Sequence, residues 1–199
     1  MLHVAVLEET QSDQRFVHSP LEIKDWMARP PSADEARPAR CPCCGAASGA
    51  AGAALMLHGH GLRERQVRGP AAPGGHPLER LVLLRRYLCL GCGAVIVVGP
   101  GELEPGWLFS GPSIAWALWL FGVAKRTAAQ VRRRVSPWAT VGATAAAGWA
   151  TLRRWARAVR DRKLFAVVRR CPAEWTLRQV AARAASTIAA LAPPADRAL

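Results

Sequence analysis

The sequence predicts an α+β protein, a small β module held together by cysteines and followed by an all-α bundle. Three observations carry that expectation. Cys41-Pro42-Cys43-Cys44-Gly45 is answered further on by Cys89-Leu90-Gly91-Cys92-Gly93. Between them lie short apolar runs broken by glycine and proline, which read as strands. Beyond Gly106 the apolar residues recur at helical spacing, with arginines on the opposite side.

Composition sets the bounds. A chain of 199 residues allows one ordinary domain or two small ones, and 51% hydrophobic residues argue for a core rather than disorder. Residues 1–10 carry His3, Glu8 and Glu9, with no basic start and no long apolar stretch, so no export signal is expected. With paired cysteines this points to a reducing cytoplasm, where thiols hold metal. The formal charge is +13, and its placement matters more than its size. Thirteen Lys/Arg fall between positions 125 and 170, opposed only by Asp161. Such a field calls for a polyanion.

Residues 1–40 suggest a poorly defined segment and linker, with a short strand at 2–7, a short helix at 20–27 and prolines at 30, 31 and 38. The β module spans 41–105. Each C-x-x-C-G half forms a tight knuckle, in which glycine allows the positive φ that turns backbone N–H groups toward the sulfurs. Cys41, Cys44, Cys89 and Cys92 then supply four soft ligands for tetrahedral Zn²⁺. Cys43 could replace a neighbour, and His58 or His60 could offer a nitrogen. Structural disulfides are the competing reading, and no βαβ pattern supports a redox pair. Residues 55–62 and 63–68 suggest two strands turned at the glycines. The run 81–88 reaches straight to Cys89, and 94–98 leaves straight from Cys92. Strand, knuckle, strand is the build of a zinc ribbon, where metal replaces a core too small to hold the sheet. Arg63, Arg65, Arg68, Arg85 and Arg86 would be solvated charges on its outer faces.

Residues 106–192 read as helical. The uncharged stretch 106–124 is interrupted at Gly111-Pro112, leaving about 113–124 as a buried core helix rather than a membrane span. Thr127-Ala128-Ala129-Gln130 is a capping box that starts a helix ending before Ser136-Pro137. Small residues at 141–148 separate it from the clearest helix, 149–162. There Trp149, Leu152, Trp155, Ala156 and Val159 share one stripe, while Arg153, Arg157 and Arg160 share the other side with Arg154 beside them. A last helix begins near Pro172-Ala173-Glu174, with an alanine-rich stripe from Leu177 to Leu191. Cys171 is a lone thiol, and residues 193–199 are a flexible tail.

Catalytic motifs are not found. There is no P-loop, nucleophile elbow or H-E-x-x-H. Beyond Glu104 the carboxylates are Asp161, Glu174 and Asp196, too few for a two-metal nuclease. Neither catalysis nor a small-molecule substrate is expected.

The order Cys41-Pro42-x-Cys44-Gly45, Leu57-His58-Gly59-His60-Gly61 with Arg63 and Arg65, Tyr87-x-Cys89-x-x-Cys92-Gly93, then basic helices resembles the amino-terminal region of bacterial insertion-sequence transposases. It also resembles a family of short bacterial proteins of unassigned function. The resemblance covers about 41–165. It implies a zinc ribbon ahead of a helix-turn-helix-like bundle, and binding of double-stranded DNA by a transposase-derived or regulatory protein without a catalytic domain. Lys125, Arg126, Arg132, Arg133 and Arg134 would grip phosphate, and Arg153, Arg154, Arg157 and Arg160 would lie in or beside the major groove. The alternative is a zinc-ribbon adaptor for protein partners.

Overall fold

The computed structural model describes residues 15–49, 54–138 and 149–191. The strand expected at 2–7, the stretch 141–148 and the tail at 193–199 lie outside them. The protein is α+β, with one four-stranded sheet and five helices among the described residues. It divides into two compact units, one up to Arg65 together with Leu81–Pro105, the other Gln66–Arg80 together with everything from Gly106 on.

The sheet has the order β1-β4-β3-β2, from β1 (Arg15–Ser19), β2 (Leu57–Gly69), β3 (Leu78–Cys89) and β4 (Val95–Pro100). Strand β4 pairs with β1 in parallel and with β3 antiparallel. Its residues Ile96 to Pro100 are all buried, as expected of an interior strand. Gly99 is required by close packing, since a Cβ there would lie 2.8 Å from Leu84 Cδ2 and 2.9 Å from Phe16 Cζ. Strand β2 is continuous, where the sequence suggests two strands. Gly61 takes φ +83 within it, so the glycine relaxes the strand without turning it.

The segment read as linker is instead fastened to the sheet. Helix α1 (Ile23–Ala28) has no side-chain cap of its own, and Glu102 accepts from Ile23 N through both carboxylate oxygens at 3.0 Å. Trp26 is wholly buried and donates Nε1–H to Leu83 O at 2.7 Å. Tyr87 Oη donates to Ala33 O, and Arg85 Nε to Pro31 O, both at 2.7 Å. Arg85 is therefore a lock and not a solvated edge charge. Arg65 likewise donates to Glu104 O and lies over Phe16.

In the other unit the uncharged helix α2 (Gly111–Gly122) is the hub. It packs against α3 (Ala128–Val135), α4 (Ala150–Arg160) and α5 (Leu177–Leu191), and α4 also packs on α5. The Gly111-Pro112 break expected within an apolar run is the start of α2, capped by the Ser110 hydroxyl. No helix among the described residues is long and apolar enough to cross a membrane. Thr127 and Gln130 form the expected capping box at α3. Helix α5 starts at Leu177, later than the Pro172 signal suggests. Its first turn is capped by a second Thr-x-x-Gln, with Thr176 N donating to Gln179 Oε1 at 2.8 Å.

The core of this unit centres on Phe109, Trp149 and Trp155, in edge-to-face contact at 5.0 to 6.2 Å. Helices α2 and α5 approach so closely that a Cβ on Gly122 would lie 2.3 Å from Ala182 N. Because the obstacle is backbone, Gly122→Ala is expected to cost about 1–3 kcal/mol through a forced shift of α5. Trp155→Ala is expected to cost about 3–5 kcal/mol through the cavity it leaves. Denaturant midpoints of the two variants check both values.

Candidate metal centre and basic helical face

The two knuckles are built alike. In the first, Gly45 N donates to Cys41 O and Cys41 N to Ala46 O, both at 2.9 Å. In the second, Gly93 N donates to Cys89 O at 2.8 Å and Cys89 N to Ala94 O at 3.0 Å. Gly45 and Gly93 take φ +74 and +71 with nothing within 4 Å of an added Cβ. Glycine is needed there for its backbone angle, not for space. Met56 joins the halves, donating to Ser48 O while its own carbonyl accepts from Leu90 N, both at 2.9 Å.

This framework brings the sulfurs of Cys41, Cys44, Cys89 and Cys92 within 4.8 Å of one another. Cys41 and Cys92 are 3.8 Å apart, Cys44 and Cys89 3.7 Å. A disulfide needs about 2.05 Å, so neither pair is bonded. Tetrahedral coordination with metal–sulfur bonds of about 2.3 Å spreads its ligands about 3.8 Å apart, which these separations match. The four cysteines thus form a cluster able to hold a metal ion. Cys43 is exposed and outside it, contributing only its backbone N–H to Cys41 Sγ at 3.4 Å. His58 is held by Leu55 O at 2.7 Å, and neither it nor His60 joins the cluster.

The cluster splits the thiol acidities. Burial pushes the Cys41 thiol up, but backbone N–H groups of Cys44 and Cys43 outweigh that and bring it down to about 6. The Ala94 N–H pulls Cys92 down, yet burial and the three neighbouring sulfurs prevail and push it up to about 12. Four sulfurs this close cannot all ionise without a cation among them.

The arginines of the helical unit fall into two groups. Arg132 Nη2 donates to Trp138 O at 2.9 Å and Arg160 Nη2 to Trp175 O at 2.7 Å. Arg178, which the sequence left unassigned, closes α2, donating to Phe121 O at 2.6 Å and Arg126 O at 3.2 Å while stacking on the Phe121 ring. Lys125, Arg126, Arg133, Arg134, Arg153, Arg154 and Arg157 are exposed, and none takes part in the salt bridges found among the described residues. On α4 the buried stripe is Leu152, Trp155, Ala156, Ala158 and Val159, so Arg153, Arg154 and Arg157 share the outer face. Cys171 is buried and apart from the four-cysteine cluster.

No protein-family model, curated protein or solved structure matches this chain.

Cys41→Ser or Cys89→Ser is expected to abolish stoichiometric metal binding and loosen the β unit. Cys43→Ser and Cys171→Ser are expected to leave metal content unchanged. Elemental analysis of reduced protein, with circular dichroism before and after chelation, checks this. Full metal retention in Cys41→Ser would rule out the four-cysteine site.

Proposed function

We propose that the chain is a zinc-containing protein that binds double-stranded DNA, transposase-derived or regulatory, acting by binding rather than by catalysis. The observation that carries this reading is the unpaired, single-signed outer face of α4. A face kept only for solubility would mix signs and pair them at i,i+4, whereas Arg153 and Arg157 stand four apart with no acid between. In this reading Zn²⁺ on Cys41, Cys44, Cys89 and Cys92 staples a zinc ribbon, since four thiolates in tetrahedral spacing suit that ion best. Helices α3 and α4 serve as a helix-turn-helix-like pair, although both pack on α2. Arg153, Arg154 and Arg157 lie in or beside the major groove, and Lys125, Arg126, Arg133 and Arg134 reach phosphates. Arg132 and Arg160 support that face, each with one nitrogen spent on a backbone carbonyl.

One observation favours a second reading, a protein-interaction adaptor. Trp116 and Trp119 stack at 5.1 Å on α2, with Trp119 and Val123 exposed. A partner lost on Trp119→Ser, with DNA binding absent, would favour it.

Purified protein is expected to hold one Zn²⁺. Its duplex affinity is expected to fall with salt at a log–log slope of about −0.9 per neutralised phosphate. Arg153→Ala with Arg157→Ala is expected to lose roughly 1–3 kcal/mol per base contact on a selected site and less on random duplex. Wild-type binding by a folded double variant, in a salt-titrated assay, would sink the recognition role.

A further inference from the structure

The connection from α4 to α5, residues 161–176, is absorbed by none of the roles above. It carries Arg162, Lys163, Arg169 and Arg170, all exposed and in no salt bridge among the described residues. Two acids lie within it, Asp161 and Glu174, both exposed and in none of those salt bridges. The loop is held in one shape. Leu164, Phe165 and Val168 are buried between the two basic pairs and Cys171 directly after the second, and all four join the aromatic core. Lys163 N donates to Ala158 O and Val168 N to Phe165 O, both at 2.8 Å. Arg160 closes the far end through Trp175 O at 2.7 Å.

The backbone adds an independent sign. Arg162 sits at φ +59, immediately after the last turn of α4. This is the left-handed position at a helix end where glycine is most favoured and a side chain costs free energy. Lys125, two residues past the Val123 cap of α2, also takes a left-handed φ of +56, as do the uncharged Trp149 at +63 and Phe165 at +51. At the end of α4 a cation thus occupies the place that glycine would fill more cheaply, and its Nη2 donates to Ala166 O at 3.4 Å.

We propose that the α4–α5 loop is a preformed grip for the phosphodiester backbone of nucleic acid, with Arg162, Lys163, Arg169 and Arg170 as its contacts. The inference rests on the DNA-binding reading and extends it to a second surface, indifferent to base sequence. Rigid anchoring lowers the ordering cost of such contacts, and exposed Arg and Lys side chains are the usual donors to phosphate oxygens.

The test uses the full chain and two 20-bp duplexes, one of fixed sequence and one scrambled. The variant combines Arg162→Gly, Lys163→Gln, Arg169→Gln and Arg170→Gln, and all-lysine replacement of the three arginines serves as rescue. The expected result is a loss of more than about tenfold at roughly 150 mM salt, equal on both duplexes. The salt slope should flatten by about 2–4. Arg162→Gly alone should unfold at the same temperature or higher, so weaker binding cannot be blamed on folding. It and the Arg169→Gln, Arg170→Gln pair stand in if the fourfold variant does not fold. Wild-type affinity and slope in the variant, while Arg153→Ala weakens binding, would overturn the grip and leave the DNA reading standing. A wild-type protein that binds neither duplex overturns both. Flotation with phosphatidylserine vesicles in place of duplex binding would do the same in favour of a membrane surface.

Discussion

Unit one depends on the approach of four sulfurs to within 4.8 Å of one another. That separation suits neither bonded pairs nor four free thiolates, because adjacent anions raise one another's pKa. Without a metal, backbone N–H groups favour the Cys41 thiolate, while burial and the neighbouring sulfurs disfavour that of Cys92. A metal ion resolves the conflict by taking all four charges at once. The backbone framework is arranged for this. Cys89 ends β3 and β4 begins at Val95, so any loosening of the second knuckle reaches the central strand directly. The apolar core of this unit is modest, with Trp26, Tyr87, Leu57, Ile96 and Leu103 as its largest buried members. In such a small core a metal clip weighs heavily.

The helical unit answers a different constraint. From Gly106 on its charges are nearly all of one sign, and none of the salt bridges found among the described residues lies there. Cohesion comes from α2, whose apolar sides meet three helices, and from arginines that bond backbone carbonyls rather than carboxylates. Arg132, Arg160 and Arg178 each close a helix end or turn in that way. A guanidinium can donate in several directions, so it satisfies an orphan carbonyl without needing an acid as neighbour. Arginine here serves both as lock and as outward charge, and position decides which.

Much of this was legible because the signals were local. The doubled C-x-x-C-G placed the ligand cluster, Thr127-x-x-Gln130 placed α3, and the tryptophan stripe placed the buried face of α4. What escaped was either distant or ambiguous. Strand β1 has only five residues and gains its place through parallel pairing with β4, some eighty positions away, which periodicity cannot show. Residues 29–37 look like linker because their partners, Leu57, Arg85 and Tyr87, are supplied by the sheet. Pro172 marks a helix start by residue type alone, whereas Thr176-x-x-Gln179, the signature that also caps α3, stands four residues on. Nor could sequence divide the arginines, since the carbonyls that claim Arg132 and Arg160 lie outside their own helices.

The charge left unpaired has a cost that bears on its purpose. Arg153 and Arg157 repel across one turn of α4, and Asp161 caps its C-terminus, where the helix dipole disfavours an anion. Each effect is a few tenths of a kcal/mol, and both could be relieved by single exposed substitutions. The aromatic contacts of Phe109, Trp149 and Trp155 offset them, at about 0.5–1.5 kcal/mol per pair beyond area burial. Local electrostatics and helix formation therefore pull apart on the outer face of α4. Such a conflict on an exposed face agrees with a surface shaped by something outside the molecule. A polyanion that binds only the folded state would remove the repulsion and add its own binding free energy to stability. Simple salt would remove the repulsion alone. The two contributions separate by stoichiometry, because ligand stabilisation saturates with the number of sites while screening rises smoothly with ionic strength.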